Sequence, residues 1–447
     1  MLNVNNPGPF DEDPEPNPFG DMTEGLNQIF QMFGAAGGGL GALGGANWEN
    51  ARQAAGAIAS AGTSEANVDP IVRMEFEQLA RVAELQVAQV TGLRLSRSGL
   101  GVTVSPVTRT QWAAATVDAY RPLFEKLASS LGRMMTAQLD DLSSDEMDEM
   151  SSMMPPGLGI DMSAIVAGMS SFIGPMMMVT MAGSTVGQLG TRAFGSYDLP
   201  ITRPPSDDIL VVATAIDGFG ADWSLPVADL RLYTCIYEMA HHAVLSQPHI
   251  RARLADLLAQ HADGFEANAA ALEDSLGPID FDDPGSMEKL QSSLGNPDFM
   301  LSAIRSDLQR QLLPQIDTLV SCIEGYVDWV VDTIGTRLVG AYPMVSEAFR
   351  RRRVETDEAS RFVEHLFGLE LTQPKIDQGA EFIDGVFSRG GAEALAALWS
   401  DVEHLPTPNE LKAPGLWLAR VGIGGDEPLP ELEGDTDFEI PDFPDLS

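Results

Sequence analysis

Ile316, Leu319, Val320, Ile323, Val327, Val330, Val331 and Ile334 recur at three- and four-residue steps without a break. Spacing of this kind keeps one face of a helix apolar for about five turns, so this segment must lie in the interior of whatever the chain builds. Val72, Phe76, Leu79, Ala80 and Val82 to Val87 repeat the pattern, and Trp112 to Leu131 carries it again after the breaker Ser105-Pro106. Strict alternation is scarce. Its best example is Ile209 to Ile216, bounded by Pro204-Pro205 and Gly218-Phe219-Gly220, which predicts one strand. The expected fold class is mainly α, a helical domain with a small β element.

That domain should occupy residues 47–421. Residues 1–46 read as a disordered acidic and glycine-rich N-terminal arm, with too few large side chains to offset the entropy of ordering. Residues 422–447 read as a disordered acidic C-terminal tail, since nine acids and no basic residue follow Asp426 inclusive. The whole chain has a formal net charge of -38, which repels nucleic acid and anionic membrane surfaces, so no nucleic-acid partner is expected. Met162 to Thr191 has no charged residue over 30 positions. Gly174-Pro175 interrupts it and several Ser and Thr residues dilute it, so two buried helices are expected rather than a membrane span. Cys235 and Cys322 are 87 residues apart in apolar stretches and read as buried structural thiols. No basic n-region precedes an apolar core at the N-terminus, and the expected location is cytoplasmic.

Chemistry concentrates in the segment from Tyr233 to His249. Leu230, Tyr233, Tyr237, His241 and Val244 share a helix face, with Glu238 about 100° round from Tyr237. The segment Tyr237-Glu238-Met239-Ala240-His241 has the spacing of His-Glu-x-x-His, in which two imidazoles one turn apart bind zinc and the Glu is the general base. Tyr237 stands where the first histidine belongs. A third ligand is available from the apolar helix, where Glu324 and Asp328 are set one turn apart. A carboxylate buried there needs a metal or a hydrogen-bonded partner. His241 could equally be a core histidine bonded to Glu238 or Glu324. His242 falls towards the outer flank, and Arg350 to Arg353 is expected to close a helix C-terminus and pair with acidic surface.

With these residues the chain resembles the actinobacterial zincin-like family of zinc-dependent metalloproteases, whose motif helix reads His-Glu-Leu-Thr-His-His-Ala-Val. The likeness extends through Asp222 to Pro226, Arg231 to Leu258, Ile323 to Asp328, Arg350 to Arg353, Phe367 to Leu371, Ala397 to Trp399 and Leu405 to Thr407. The resemblance implies Glu238 as the catalytic base, His241 and Glu324 as metal ligands, and Asp328, Tyr237 and Tyr326 in support around them. Zinc is the family's cofactor, and Tyr237 implies that it is absent or weakly bound here. A phenol is a poor ligand at neutral pH beside an imidazole. The expected function is a catalytically impaired family member that binds a peptide or protein, and the alternative is a working zinc protease with a modified ligand set. Tyr237 should donate a hydrogen bond to Glu324 or Asp328, and Tyr237→His should raise zinc occupancy.

Overall fold

A computed structural model describes residues 48–140, 178–265, 305–354 and 358–423. Residues 1–46 and 424–447 of the terminal segments expected to be disordered, and residues 162–177 of the uncharged stretch, lie outside the described residues. The rest is mainly helical, as the apolar spacing predicts. The first helices are α1 (Trp48–Ala59), α2 (Pro70–Thr91) and α3 (Arg109–Asp140), followed by a helix over 178–192, α4. Asp69 caps α2 by accepting from the Ile71 amide, and Gly92 ends it at φ +67°, a conformation that costs a residue without Cβ little. In α4, Ala182, Val186 and Leu189 are buried, so the described part of the uncharged stretch packs as a core helix. No helix among the described residues is long and apolar enough to cross a membrane.

The β element is smaller than expected. Strand β1 (Thr103–Pro106) pairs in parallel with β2 (Asp208–Val211), with Thr103 opposite Asp208 and Pro106 opposite Val211. The strand predicted to continue to Ile216 stops at Val211, and helix α5 (Ala213–Asp222) begins two residues later. Apart from a single bridge between Gly195 and Val211, β2 has only the short β1 to follow among the described residues. Val107 donates the last bond, to the Val211 carbonyl at 2.8 Å, and the small Ala213 and Ala215 then take the helical conformation they favour.

Helices α6 (Val227–Leu245) and α7 (Pro248–Asp263) come next, then the long α8 (Asp307–Leu338), α9 (Tyr342–Val354), α10 (Glu358–Leu366) and α11 (Gln373–Leu398). Two short helices, α12 (Pro408–Lys412) and α13 (Pro414–Val421), end the described chain. Ser306 and Gln309 form a capping box that fixes the start of α8. Helix α6 is buried on every side from Tyr233 to Leu245, packed against α2 and α8. A helix enclosed all round must satisfy each polar side chain internally. Helix α8 is held on its far side by α11 at a crossing too close for side chains. A Cβ on Gly325 would sit 2.3 Å from the Gly379 carbonyl carbon, and one on Gly379 would sit 1.8 Å from the Ser321 oxygen. This crossing sets the position of Glu324, the residue beside Gly325.

Candidate functional site

Helices α6, α8 and α9 bring five polar side chains together, Tyr237, His241, Glu324, Asp328 and Arg353. His241 Nε2 lies 3.0 Å from Glu324 Oε1, and its Nδ1 lies 3.2 Å from the Tyr237 carbonyl oxygen, one turn back. The Tyr237 hydroxyl reaches Glu324 Oε2 only at 3.5 Å, a long contact in the direction expected from the sequence. A closer partner comes from α9. Arg353 Nη1 donates to Glu324 Oε2 at 3.1 Å and to Asp328 Oδ1 at 3.0 Å, while its Nη2 donates to Asp328 Oδ2 at 2.8 Å. Burial alone would raise the Glu324 pKa. The charges and hydrogen bonds of His241 and Arg353 outweigh it and hold the carboxyl below its usual range. The hydrogen bond between His241 and Glu324 occupies the imidazole nitrogen on the Glu324 side. Rings close the remaining sides: Tyr237 is 4.6 Å from the His241 ring and 5.3 Å from Phe349, and Tyr197 stacks on His241 at 6.0 Å.

On the neighbouring flank of α6, Glu238 faces the segment 194–198 instead. Its Oε2 accepts the Tyr197 amide at 3.0 Å. Gly195 leaves the room for it, because a Cβ there would sit 2.2 Å from the Glu238 carboxyl carbon. Burial, with the charge of Asp198 adding to it, raises the Glu238 pKa well above the carboxylate range despite the amide bonds. His242, expected on an outer flank, is buried: its Nδ1 meets the Tyr197 hydroxyl at 2.9 Å and its Nε2 meets the Leu95 carbonyl at 3.2 Å. The correction follows from α6 being enclosed on all sides.

The sequence profile of the zincin-like metallopeptidase family matches residues 46–418. This chain belongs to the zincin-like metallopeptidase family. Among solved structures, the zincin-like chain is similar to a candidate hydrolase with a novel fold from Chloroflexus aurantiacus, at 21% identity and a TM-score of 0.51. That match covers 84% of this chain and 98% of the other, and it is a likeness of fold. No curated protein matches the chain.

Zinc belongs to the family's chemistry, so the fit of these residues to it can be tested. The His241 nitrogen facing Glu324 is already taken up by the hydrogen bond to that carboxyl group. Burial raises the Tyr237 phenol well above its ordinary pKa, so it is not a phenolate. The Glu324 oxygens are engaged by His241 and by a guanidinium that would repel a second cation. No group of three or more His, Cys, Asp or Glu suited to a metal occurs among the described residues. As arranged, the cluster of the zincin-like chain does not fit zinc.

Of the residues singled out in the sequence, Tyr237, His241, Glu324 and Asp328 meet, while Glu238 and Tyr326 do not join them. Tyr326 lies two positions beyond Glu324, about 200° round the helix, and packs against Trp329 and Trp399. Cys235 and Cys322 are free and buried, as expected. The missed member is Arg353. Half of the basic run behaves as expected, with Arg350 pairing with Asp332 and Arg351 with Glu347. The other half turns inward, Arg352 to Asp198 and Arg353 to the cluster.

Proposed function

We propose that this protein is a zincin-like family member impaired in metal-dependent hydrolysis that acts as a peptide- or protein-binding module in the cytoplasm. The observation that carries the reading is the Arg353 guanidinium on Glu324 and Asp328, an internal cation where the family's ligand carboxylate would face a metal. Two further observations support it. The carboxyl at the general-base position is buried and bonded to the Tyr197 amide, turned away from the cluster of Tyr237, His241 and Glu324. The cavity beside Tyr237 and Arg353 is small, about 40 Å³, room for a few waters. Two free buried thiols agree with a reducing compartment.

The test is elemental analysis of the purified full-length protein beside a peptide-cleavage assay. Zinc well below one per chain, no cleavage, and a melting curve unmoved by chelator are the expected results. Stoichiometric zinc that His241→Ala abolishes, with cleavage that Glu238→Gln abolishes, would instead establish a working protease with a modified ligand set. Arg353 changes the expectation for Tyr237→His. The single replacement rebuilds His-Glu-x-x-His but leaves the guanidinium in place, so zinc uptake should require Tyr237→His together with Arg353→Met. Binding is tested by screening a peptide library for ligands that are retained intact by the full-length protein. Retention of no peptide at all would remove the binding half of the proposal.

A further inference from the structure

A larger cavity, about 350 Å³, opens beside the C-terminal end of α6, and nothing above gives it a task. Arg97, Arg203, Arg251, Tyr197, His242 and Leu245 are among the residues that line it. Three arginines in one small cavity stand out in a chain with 65 acidic and 27 basic residues, where carboxylates to pair with are plentiful.

The three are held in different ways. Arg203 is fixed: Nη1 donates to the Ser196 carbonyl at 2.7 Å, Nη2 to Thr116 Oγ1 at 2.9 Å, and its guanidinium lies over the Tyr120 ring. Two of its five N–H donors are thereby used. Arg251 projects from the first turn of α7, is half-buried, and has no side-chain hydrogen bond or ion pair among the described residues. Arg97 is exposed on a loop that Asp207 ties down by accepting from the Arg97 and Ser98 amides and the Ser96 hydroxyl. Its own guanidinium also has no partner among the described residues.

Opposing charges at the cavity wall are already engaged. Asp118 pairs with Arg52 at 2.7 Å, and Asp208 accepts from the Thr103 and Ser105 hydroxyls. His242 adds no charge, because burial lowers its pKa and both ring nitrogens have partners. The cavity thus presents the guanidinium groups of Arg251 and Arg97, without partners among the described residues, and the spare donors of Arg203, and its lining also includes the apolar Leu245, Leu210 and Pro204. A half-buried cation without a counterion gives up hydration and gains nothing in return, unless a ligand supplies the anion. The volume falls at the small end of ligand pockets.

We propose that this cavity binds a small organic anion, with its carboxylate or phosphoryl group held by Arg251 and Arg203 and its apolar body against Leu245 and Pro204. None of Tyr237, His241, Glu324, Asp328 and Arg353 lines this cavity, although Tyr197 borders both it and His241, and the proposal does not depend on whether the protein cleaves or binds peptides.

Isothermal titration of the full-length protein with phenyl phosphate and with phenylacetate tests it, against sodium chloride at matched ionic strength. Saturable binding of one molecule per chain is expected for at least one probe, and the stronger one names the anionic group. Arg251→Ala should weaken that binding by about tenfold or more, the loss expected for a charge-assisted hydrogen bond. Its melting curve should be unchanged, because Arg251 bonds to no other described side chain. Arg97→Ala, an exposed change with no folding consequence, should weaken binding less. Failure of both probes to saturate in the millimolar range would overturn the proposal, as would undiminished binding by Arg251→Ala.

Discussion

Glu324 and Glu238 are each 1% exposed, and helix α6 stands between the surroundings of the two. Glu324 meets a histidine and an arginine and is held as a carboxylate, whereas Glu238 meets backbone amides and the nearby charge of Asp198 and is held towards its neutral form. Burial is the same on both flanks, so burial does not decide the charge. A cation within hydrogen-bond reach does. Two consecutive arginines reach the two sides: Arg353 turns to Glu324, and Arg352 turns to Asp198.

Arg353→Met should break the contrast most severely. It leaves Glu324 and Asp328 buried without their counterion, and loss of one partner from a buried pair typically costs about 3–5 kcal/mol. Urea denaturation would measure it, and a loss below about 1 kcal/mol would mean that the guanidinium is only a surface partner. Gly195→Ala attacks the other flank. Its Cβ overlaps the Glu238 carboxyl, and overpacking of this kind costs about 1–3 kcal/mol. Adding Glu238→Ala to Gly195→Ala should recover part of that loss, because the obstructing group is gone, and no coupling in the double-mutant cycle would disprove the clash.

The subtlest effect is one of sign. A carboxyl whose pKa is lowered on folding adds stability above its unfolded pKa and loses it as pH falls. Wild type should therefore lose its advantage over Glu324→Gln as pH drops below the ordinary glutamate range. Glu238 has the raised pKa and the reverse behaviour. Wild type should lose ground to Glu238→Gln as pH rises above that range. Parallel slopes in the two denaturation series would end the distinction between the flanks.

The long apolar stripe of α8 and the motif helix α6 were legible from spacing, because both obey the helical period over many residues. So was the meeting of Tyr237, His241 and Glu324, which rested on the family pattern more than on any local signal. Glu238's position was not legible. It depends on the segment 194–198 folding under α6, with Gly195 making room, and no periodicity marks such a loop. Arg353 left a trace that composition concealed. Four consecutive residues on a helix spread over about 300°, so Arg350 to Arg353 could not all face solvent. Val345, Phe349 and Arg353 recur every fourth residue, which aligns the last arginine with two buried apolar neighbours. The strand ending at Val211 was hidden for a different reason: a ladder extends only as far as its partner, and β1 is short.

On the proposed reading, a guanidinium that takes the place of an ion also alters what the cell must provide. A metal centre is completed after translation, by whatever ion the compartment can spare, and it is emptied when supply falls. Arg353 is written into the same message as Glu324 and Asp328, so the stoichiometry of this cation is fixed at one per chain by the genetic code. The cluster gains its positive charge as soon as α9 docks, in metal-replete and metal-starved cells alike.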